Sequence, residues 1–168
     1  KLVTEAEFRL QELKETVPQL ETLLQKGTGK PRISIYEGKE QLDRAYDESF
    51  LVKGELLYIS TLELAEEVFP NTFKKFFYKG VFPDFHIREI MSDSEEMREL
   101  AGKYDGPHFK TRYIPKELQP FNIDIGIFGN RTLISSITKE YFTISIESED
   151  VANAFRIIFE MMWRSAIE

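Results

Sequence analysis

The sequence predicts an α/β domain with a mixed β-sheet flanked by helices, preceded by a helical arm. Strand and helix signals alternate from residue 31 to residue 114, and three strands then follow one another directly. An amphipathic helix closes the chain. Alternating units favour parallel strands, whereas strands joined by short loops favour antiparallel pairs. We therefore expect one sheet that contains both kinds of pair, with helices on both faces.

The arm is predicted over residues 1–29, where apolar residues recur in alternating steps of three and four. This is the a/d pattern of a coiled coil, and it predicts a dimerisation seam. The seam consists of Val3, Ala6, Leu10, Leu13, Val17, Leu20 and Leu24. Pro18 is expected to kink the helix, and Gly27 and Gly29 end it. The alternative is a helix that packs the same stripe against its own globule.

The remaining residues, 30–168, are predicted to form the α/β domain. Its first four strands are expected over residues 32–36, 55–61, 84–90 and 108–114. The helices between them are expected to begin at Gly38, to cover residues 62–79 with a bend at Pro70, and to run from the N-caps Ser92 and Asp93 to Lys103. The charged fourth strand is expected at an edge of the sheet.

Three strands and a helix complete the domain. The strands are expected over residues 121–128, 131–138 and 141–147, with tight hairpins between them. Ser148, Glu149 and Asp150 are predicted to start the closing helix. Its apolar face is wider than contact with one sheet requires. The helix therefore either also meets the arm or a partner chain, or lies fully inside the domain.

The composition is that of a soluble globular protein, with 42% hydrophobic and 30% charged residues. No apolar run approaches the roughly 20 residues that span a bilayer, and no signal peptide is visible, so we expect a cytoplasmic protein without membrane contact. The absence of cysteine excludes disulfides and thiol catalysis. Residues 1–30 hold five acids and five bases, so the net charge of −7 lies in residues 31–168. Such a charge disfavours DNA binding by this chain itself.

One stretch suggests a catalytic motif. His108 and Lys110 match the opening of the HxKxxxxD motif of phospholipase-D-type hydrolases. In that motif the imidazole attacks phosphorus, while the lysine and the aspartate complete the phosphate site. The aspartate would fall at position 115, where the chain has Pro115. A proline provides no carboxylate, so this match fails.

The motif belongs on a strand that is followed by a hairpin, and the best structural match is residues 122–135. There its three positions fall on Asn122, Asp124 and Gly129, none of which has the required chemistry. No phosphate-binding loop, dinucleotide fingerprint or nucleophile elbow occurs elsewhere, and His86 and His108 lack zinc-site spacing. We therefore expect no enzymatic activity, no metal site and no cofactor.

A resemblance accounts for the order of elements. The arm followed by residues 30–50 resembles the linker and first β-α unit of TrmB-type transcriptional regulators, in which a proline precedes a strand that ends in Tyr-Glu-Gly. The matching residues are Pro31, Tyr36, Glu37 and Gly38, followed by Leu42 and Tyr46. The remainder is similar to the phospholipase-D-like regulatory domain of that family, which lacks the catalytic triad. The resemblance covers essentially the whole chain.

This resemblance implies a homodimeric regulatory domain that senses a small-molecule effector and contacts DNA only through a winged helix absent from this chain, upstream of Lys1. The sugar-sensing members carry a further β-rich domain that this chain lacks, so sugar binding does not carry over. The alternative left open is a protein-interaction or dimerisation scaffold without a ligand site. An enzyme of unrecognised chemistry ranks third.

The candidate ligand site follows from the rule that α/β sheets bind ligands at the carboxyl ends of their strands. The candidate residues are Tyr36, Glu37, Ser60, Thr61, Asn122 and Asp124, and Ile90 and Met91 lie at the same ends. A carboxylate at position 124 would repel phosphate and favour a cation, a hydroxyl or an amine. For each residue a role as a turn, a cap or a satisfied polar group remains open.

Overall fold

The structure is a computed structural model that describes residues 31–60, 65–72, 85–103, 106–118 and 123–168. The predicted arm and its seven seam residues from Val3 to Leu24 lie outside the described residues. So do the candidate ligand residues Thr61 and Asn122. The fold of the described part decides the remaining predictions about elements and their order.

The described residues form the predicted strands and helices in the predicted sequence. The strands are β1 (Arg32–Glu37), β2 (Gly54–Ser60), β3 (Phe85–Ser92), β4 (Phe109–Ile114), β5 (Ile123–Phe128), β6 (Arg131–Ser136) and β7 (Phe142–Glu147). The helices in these ranges are α1 (Lys39–Asp47), α2 (Ala65–Val68), α3 (Glu95–Gly102) and α4 (Glu149–Ser165). Two 3₁₀ turns, Glu48–Leu51 and Lys116–Leu118, follow α1 and β4.

The strands form one mixed sheet in the order β1-β7-β6-β5-β2-β3-β4. β2, β3 and β4 are parallel to one another. All other neighbours, β1–β7, β7–β6, β6–β5 and β5–β2, are antiparallel. The mixed sheet is therefore confirmed, as is the position of β4 at an edge. The opposite edge is β1.

Each face of the sheet carries its own apolar core, which confirms helices on both faces. One core joins α1 and α3 to the sheet through Leu42, Met97 and Ile87. The other joins α4 to the sheet through Phe159 and Ile90. Because strand side chains alternate, Ile87 and Ile90 of β3 belong to opposite faces, as the sequence pattern indicated.

The predicted start of α3 is wrong by one or two residues. β3 continues to Ser92, so this serine belongs to the strand. Ser94 caps the helix instead, since its extended backbone (φ −131°, ψ 159°) lets its hydroxyl accept a hydrogen bond from the Met97 N–H at 3.2 Å. At the last helix the prediction is confirmed, because Ser148 accepts from the Val151 N–H.

The predicted turn after β1 depends on a glycine. Gly38 has φ +83°, a backbone conformation that L side chains rarely adopt, and its carbonyl accepts from the Leu42 N–H at 3.0 Å. Its own N–H donates to the Tyr141 carbonyl at 2.8 Å. Gly38 therefore lies between β1 and α1, and its backbone hydrogen bond connects them to the loop before β7.

The closing helix α4 is not fully internal. Ile157, Ile158 and Met161 are 63%, 47% and 66% exposed. Its opposite side, centred on Ala152 and Phe159, is fully buried on the sheet. The wide apolar face predicted from the sequence is thus divided between a buried side and an exposed side.

Candidate functional site

Polar side chains cross the sheet in a row near the end where the parallel strands terminate. The register pairs Asp124 of β5 with Ser135 of β6, and Ser135 with Thr143 of β7. Directly opposite residues in antiparallel strands point to the same face. Ser60, the last residue of β2, follows the pair Ile59–Ile125, and this register places it beside Asp124. The row lies on the face that α1 covers.

Hydrogen bonds connect this row to α1 and β3. The Tyr46 hydroxyl donates to Ser135 Oγ at 2.9 Å, and Ser135 Oγ lies 2.8 Å from Thr143 Oγ1. The Ser60 hydroxyl donates to Oε1 of Glu89. All of these side chains are buried. We call Tyr46, Ser60, Glu89, Asp124, Ser135 and Thr143 the buried acid cluster.

Two carboxyl groups lie inside this cluster. Glu89 is 4% exposed and Asp124 is 3% exposed. The pKa of Glu89 is raised to about 8: burial raises it most, the hydrogen bond from Ser60 lowers it, and the negative charge of Asp124 also raises it. Glu89 is therefore mostly protonated at neutral pH. Glu89 therefore contributes little negative charge to the cluster under these conditions.

Two tyrosines border the carboxyl groups. Burial raises the pKa of Tyr46 well above its usual value, with a contribution from the charge of Asp124. Burial likewise raises the pKa of Tyr58, while a hydrogen bond with Ser49 lowers it. Both phenols remain neutral at physiological pH, so they act as hydrogen-bond donors and acceptors rather than as bases.

The structure separates the predicted ligand residues into two groups. Ser60 and Asp124 belong to the buried acid cluster. Tyr36 is opposite Thr143 in register, but β1 lies three strands from β5, a separation of about 14 Å. Glu37 is exposed, and its N–H donates to the Gln41 side chain at 3.4 Å, which fits the open interpretation of a turn.

Tyr36 lines a different, open cavity of about 480 Å³ on α1. Its other lining residues are Glu40, Gln41, Arg44 and Glu48. Three of its lining side chains are charged, and neither Ser60 nor Asp124 lines it. The six candidate residues therefore do not form one site, as far as they are described.

Sequence reasoning did not select Glu89 and Tyr46 as site residues. The signal for Glu89 was present, since an acid shares the inward side of β3 with Ile87. Tyr46 was named only as a residue of the TrmB resemblance, not as a site residue. Its hydroxyl role depends on the contact with Ser135, 89 residues away in the chain, which no local pattern reveals.

The described residues contain no group of three His, Cys, Asp or Glu side chains arranged to hold a metal ion. The buried acid cluster instead offers two carboxyl groups with hydroxyls around them. Chemically, carboxyl and hydroxyl groups offer hydrogen bonds to hydroxyl or amino groups, and a carboxylate attracts a cation and repels phosphate. In the described part of the chain, no helix is long and apolar enough to cross a membrane.

No protein-family model matches the sequence, and no curated protein does so either. Solved structures show the class of fold, which is that of the phospholipase D family. NucT from Helicobacter pylori is similar with a TM-score of 0.60 and 8% identity, covering 82% of this chain and 99% of that one. A phospholipase D family member, Nuc from Salmonella typhimurium, has a TM-score of 0.55 and 11% identity, covering 82% and 97%.

A third neighbour is TrmBL2, an archaeal chromatin protein whose structure shows a novel mode of DNA binding. Its TM-score is 0.51 with 12% identity, and the match covers 98% of this chain. This chain spans only 64% of the length of TrmBL2. At these identities the neighbours confirm the phospholipase-D-like α/β fold. A TrmB-like protein is among the structures that share it.

Proposed function

We propose that this chain is the regulatory, dimerising portion of a TrmB-like transcriptional regulator, and that it senses a small-molecule effector without catalysing a reaction. The fold shared with TrmBL2 and the Tyr-Glu-Gly turn at Gly38 support the TrmB-like assignment. TrmBL2 binds DNA as a longer protein. For this acidic chain, DNA contact through an upstream domain is part of the proposal.

The observation that carries the proposal is the buried carboxyl pair Glu89 and Asp124. In the hydrolase motif laid on β5, the lysine that helps hold phosphate falls at Asp124. A buried carboxylate repels a phosphate, and this repulsion is stronger inside a protein than in water. This repulsion supports the part of the proposal that assigns the chain no phospholipase-D-type reaction.

The first experiment tests for catalysis. The purified chain is incubated with bis(4-nitrophenyl) phosphate and the release of nitrophenol is followed. We expect no turnover above the blank, for the wild type and for Asp124→Asn alike. Turnover that disappears in Asp124→Asn would show that the site is catalytic and would overturn the proposal.

The second experiment tests for an effector. The melting temperature of the chain is measured with a panel of polyols and amines and with phosphorylated compounds of similar size. A ligand that binds only the native state raises the melting temperature. We expect a neutral or cationic compound to raise it in the wild type and to have less effect in Asp124→Asn. Stabilisation by a phosphorylated compound that Asp124→Asn leaves unchanged would contradict this site.

The scaffold alternative is favoured by a separate observation, the exposed apolar side of α4 around Ile157, Ile158 and Met161. Exposed clusters of large apolar side chains are typical of protein interfaces. If no compound in the panel changes the melting temperature while the chain still self-associates, the scaffold function replaces effector sensing.

A further inference from the structure

A second feature lies along the outer edge of β4, which is the edge of the sheet opposite β1. An open cleft of about 610 Å³ follows this edge, and its charged lining consists of four cations and one acid, Arg88, Arg98, Lys110, Arg112 and Glu168. The protein as a whole has a net charge of −7. Arg88 pairs with Glu55 and Glu160, and Arg98 pairs with Asp93, so Lys110 and Arg112 are the cations that an anionic ligand would meet. We call this feature the β4 edge cleft.

The backbone of β4 presents alternate residues to this cleft. The His108 carbonyl accepts from the Ile87 N–H at 2.8 Å, and the Ile114 carbonyl accepts from the Asp93 N–H at 3.2 Å. The even-numbered residues of this segment therefore face β3. Because the direction alternates along a strand, the backbone groups of Phe109, Thr111 and Tyr113 point to the open edge.

Two of these three residues already have edge partners. Phe109 exchanges both backbone hydrogen bonds with Gly106, at 3.1 and 3.3 Å. Tyr113 exchanges both with Ile167, at 2.7 and 3.0 Å. Among the described residues, none pairs with the backbone of Thr111 between them, and the buried hydroxyl of Thr111 has no hydrogen-bond partner there either.

The chain itself shows what the cleft accepts. Residues 166–168 lie against the edge, where Ile167 forms an antiparallel bridge with Tyr113. The next side chain, Glu168, places Oε1 3.0 Å from Nη2 of Arg112. The Arg98 guanidinium donates to the Glu168 main-chain oxygen at 3.4 Å. One apolar residue followed by one acid thus combines main-chain pairing with a charge-assisted hydrogen bond.

We propose that the β4 edge cleft binds an acidic, extended peptide segment as an added antiparallel strand. Antiparallel register fixes the pattern that such a peptide needs. In the bound peptide, an apolar residue lies opposite Tyr113, and the next residue is an acid opposite Arg112. The next residue pairs with Thr111, and a second acid then lies on the side of Lys110. The turn at Gly106 closes the far end, so the slot accepts only these few residues.

A peptide explains more of the cleft than a nucleic acid does. Nucleic acid also binds Lys and Arg, but the net charge of −7 would repel its phosphates. It would also leave the Thr111 backbone groups without hydrogen bonds. The peptide takes the place of residues 166–168 at Tyr113, so these residues compete with it. The inference is independent of the effector site and of the regulatory function proposed above.

The test uses the full chain and a fluorescein-labelled peptide, Ala-Ile-Glu-Thr-Glu, in which the acids alternate. Fluorescence anisotropy measures its binding against the isomer Ala-Ile-Thr-Glu-Glu, in which the acids are adjacent. We expect the alternating peptide to bind about tenfold more tightly, since only it presents both acids to Arg112 and Lys110. Equal binding of the two peptides, or no binding of either, overturns the proposal.

A charge exchange identifies the contact at Lys110, which is exposed and so can be changed without disturbing the core. Lys110→Glu should weaken the alternating peptide about tenfold, and the peptide Ala-Ile-Glu-Thr-Lys should restore binding to this variant. The matched control is Lys139→Glu, which changes the same charge in the distant β6–β7 hairpin and should bind as the wild type does. Failure of the exchanged peptide to restore binding counts against the assigned register.

Two readouts separate strand addition from simple charge attraction. Binding should slow hydrogen exchange at the Thr111 amide, because the added strand accepts from it. Ile167→Pro removes the N–H that Ile167 donates to the Tyr113 carbonyl, so it should release the competing segment and tighten peptide binding. If peptide binding leaves the Thr111 amide unprotected, the peptide is held by charge alone and the proposal is wrong.

Discussion

At the scale of single residues, Glu89 makes stability depend on pH. Its pKa is about 8 in the folded chain, against an ordinary value of 4.5. Between these values the native state binds a proton that the unfolded state has released, so stability falls as pH rises, by at most about 1.4 kcal/mol per pH unit. We expect Glu89→Gln to remove most of this fall, because the amide has no proton to lose and still accepts from Ser60.

The measurement is urea unfolding of both proteins from pH 5 to pH 9. The variant should be similar to the wild type at pH 5 and more stable by a few kcal/mol at pH 9. Glu140→Gln, an exposed change in the β6–β7 hairpin, should retain the slope of the wild type. Parallel stability curves for Glu89→Gln and the wild type would show that Glu89 does not titrate in this range.

Gly126 gives a second prediction at this scale, on packing beside the buried acid cluster. A Cβ added at this position would lie 2.9 Å from Cε1 of Tyr58, a ring that is buried and stacked on Tyr46. Because the ring cannot move away freely, we expect Gly126→Ala to lower the free energy of unfolding by about 1–3 kcal/mol.

Chemical denaturation of Gly126→Ala and of Gly102→Ala provides the comparison. The Cβ at Gly102 meets nothing within 4 Å, so that change should be neutral or slightly stabilising. Adding Tyr58→Leu to Gly126→Ala should cost less than the sum of the single changes, since the smaller side chain removes the clash. Strict additivity would mean that the two positions do not interact.

At the scale of elements, one acid of α1 binds the backbone of the segment that follows α2. The buried carboxylate of Asp43 accepts from the backbone N–H groups of Asn71 at 3.2 Å and Thr72 at 2.9 Å. Asp43→Ala would leave both donors without this partner, so we expect a loss of about 1–3 kcal/mol. Unfolding by urea measures it, with Asp43→Asn expected between Asp43→Ala and the wild type. A loss no larger than that of the exposed Glu40→Ala would refute this role.

Element types were predictable from the sequence because local periodicity determines them. Element ends were less so, and α3 illustrates the reason. Ser92, Asp93 and Ser94 are all good capping residues; Ser92 is paired in β3, and Ser94 is the residue that accepts from the Met97 N–H. The hydrogen-bond partners of Glu89 and Asp43 could not be predicted either. Ser60 and Thr72 are distant from them in the sequence, and only the folded chain brings them together.

At the scale of the whole molecule, the class of sheet was predictable, but the place of β1 was not. Alternating β-α units favour parallel pairs, but β1 forms none. It pairs with β7 instead, from Arg32 opposite Glu147 to Glu37 opposite Phe142. Pairings over such sequence distances depend on the assembled core rather than on local propensity. Of the candidate ligand residues, Tyr36 and Glu37 consequently lie on the edge strand β1, whereas Ser60 and Asp124 lie at the centre of the sheet.

The exposed apolar side chains give the last prediction, which concerns self-association. Ile33 and Ile35 on β1 and Ile158 and Met161 on α4 are each between 47% and 66% exposed. A chain that exposes these residues and carries a leucine seam in residues 1–29 is expected to be a dimer. Light scattering coupled to size exclusion measures the mass of the wild type and of two double variants.

The two variants assign the interface. Leu13→Glu with Leu20→Glu introduces charge into the predicted seam, and Ile158→Glu with Met161→Glu introduces it into the exposed side of α4. Buried, unpaired charges are costly, so only the variant that alters the true interface becomes a monomer. We expect the seam variant to dissociate and the α4 variant to remain a dimer. The reverse result would place the interface on α4, and a monomeric wild type would contradict the dimeric regulatory domain itself.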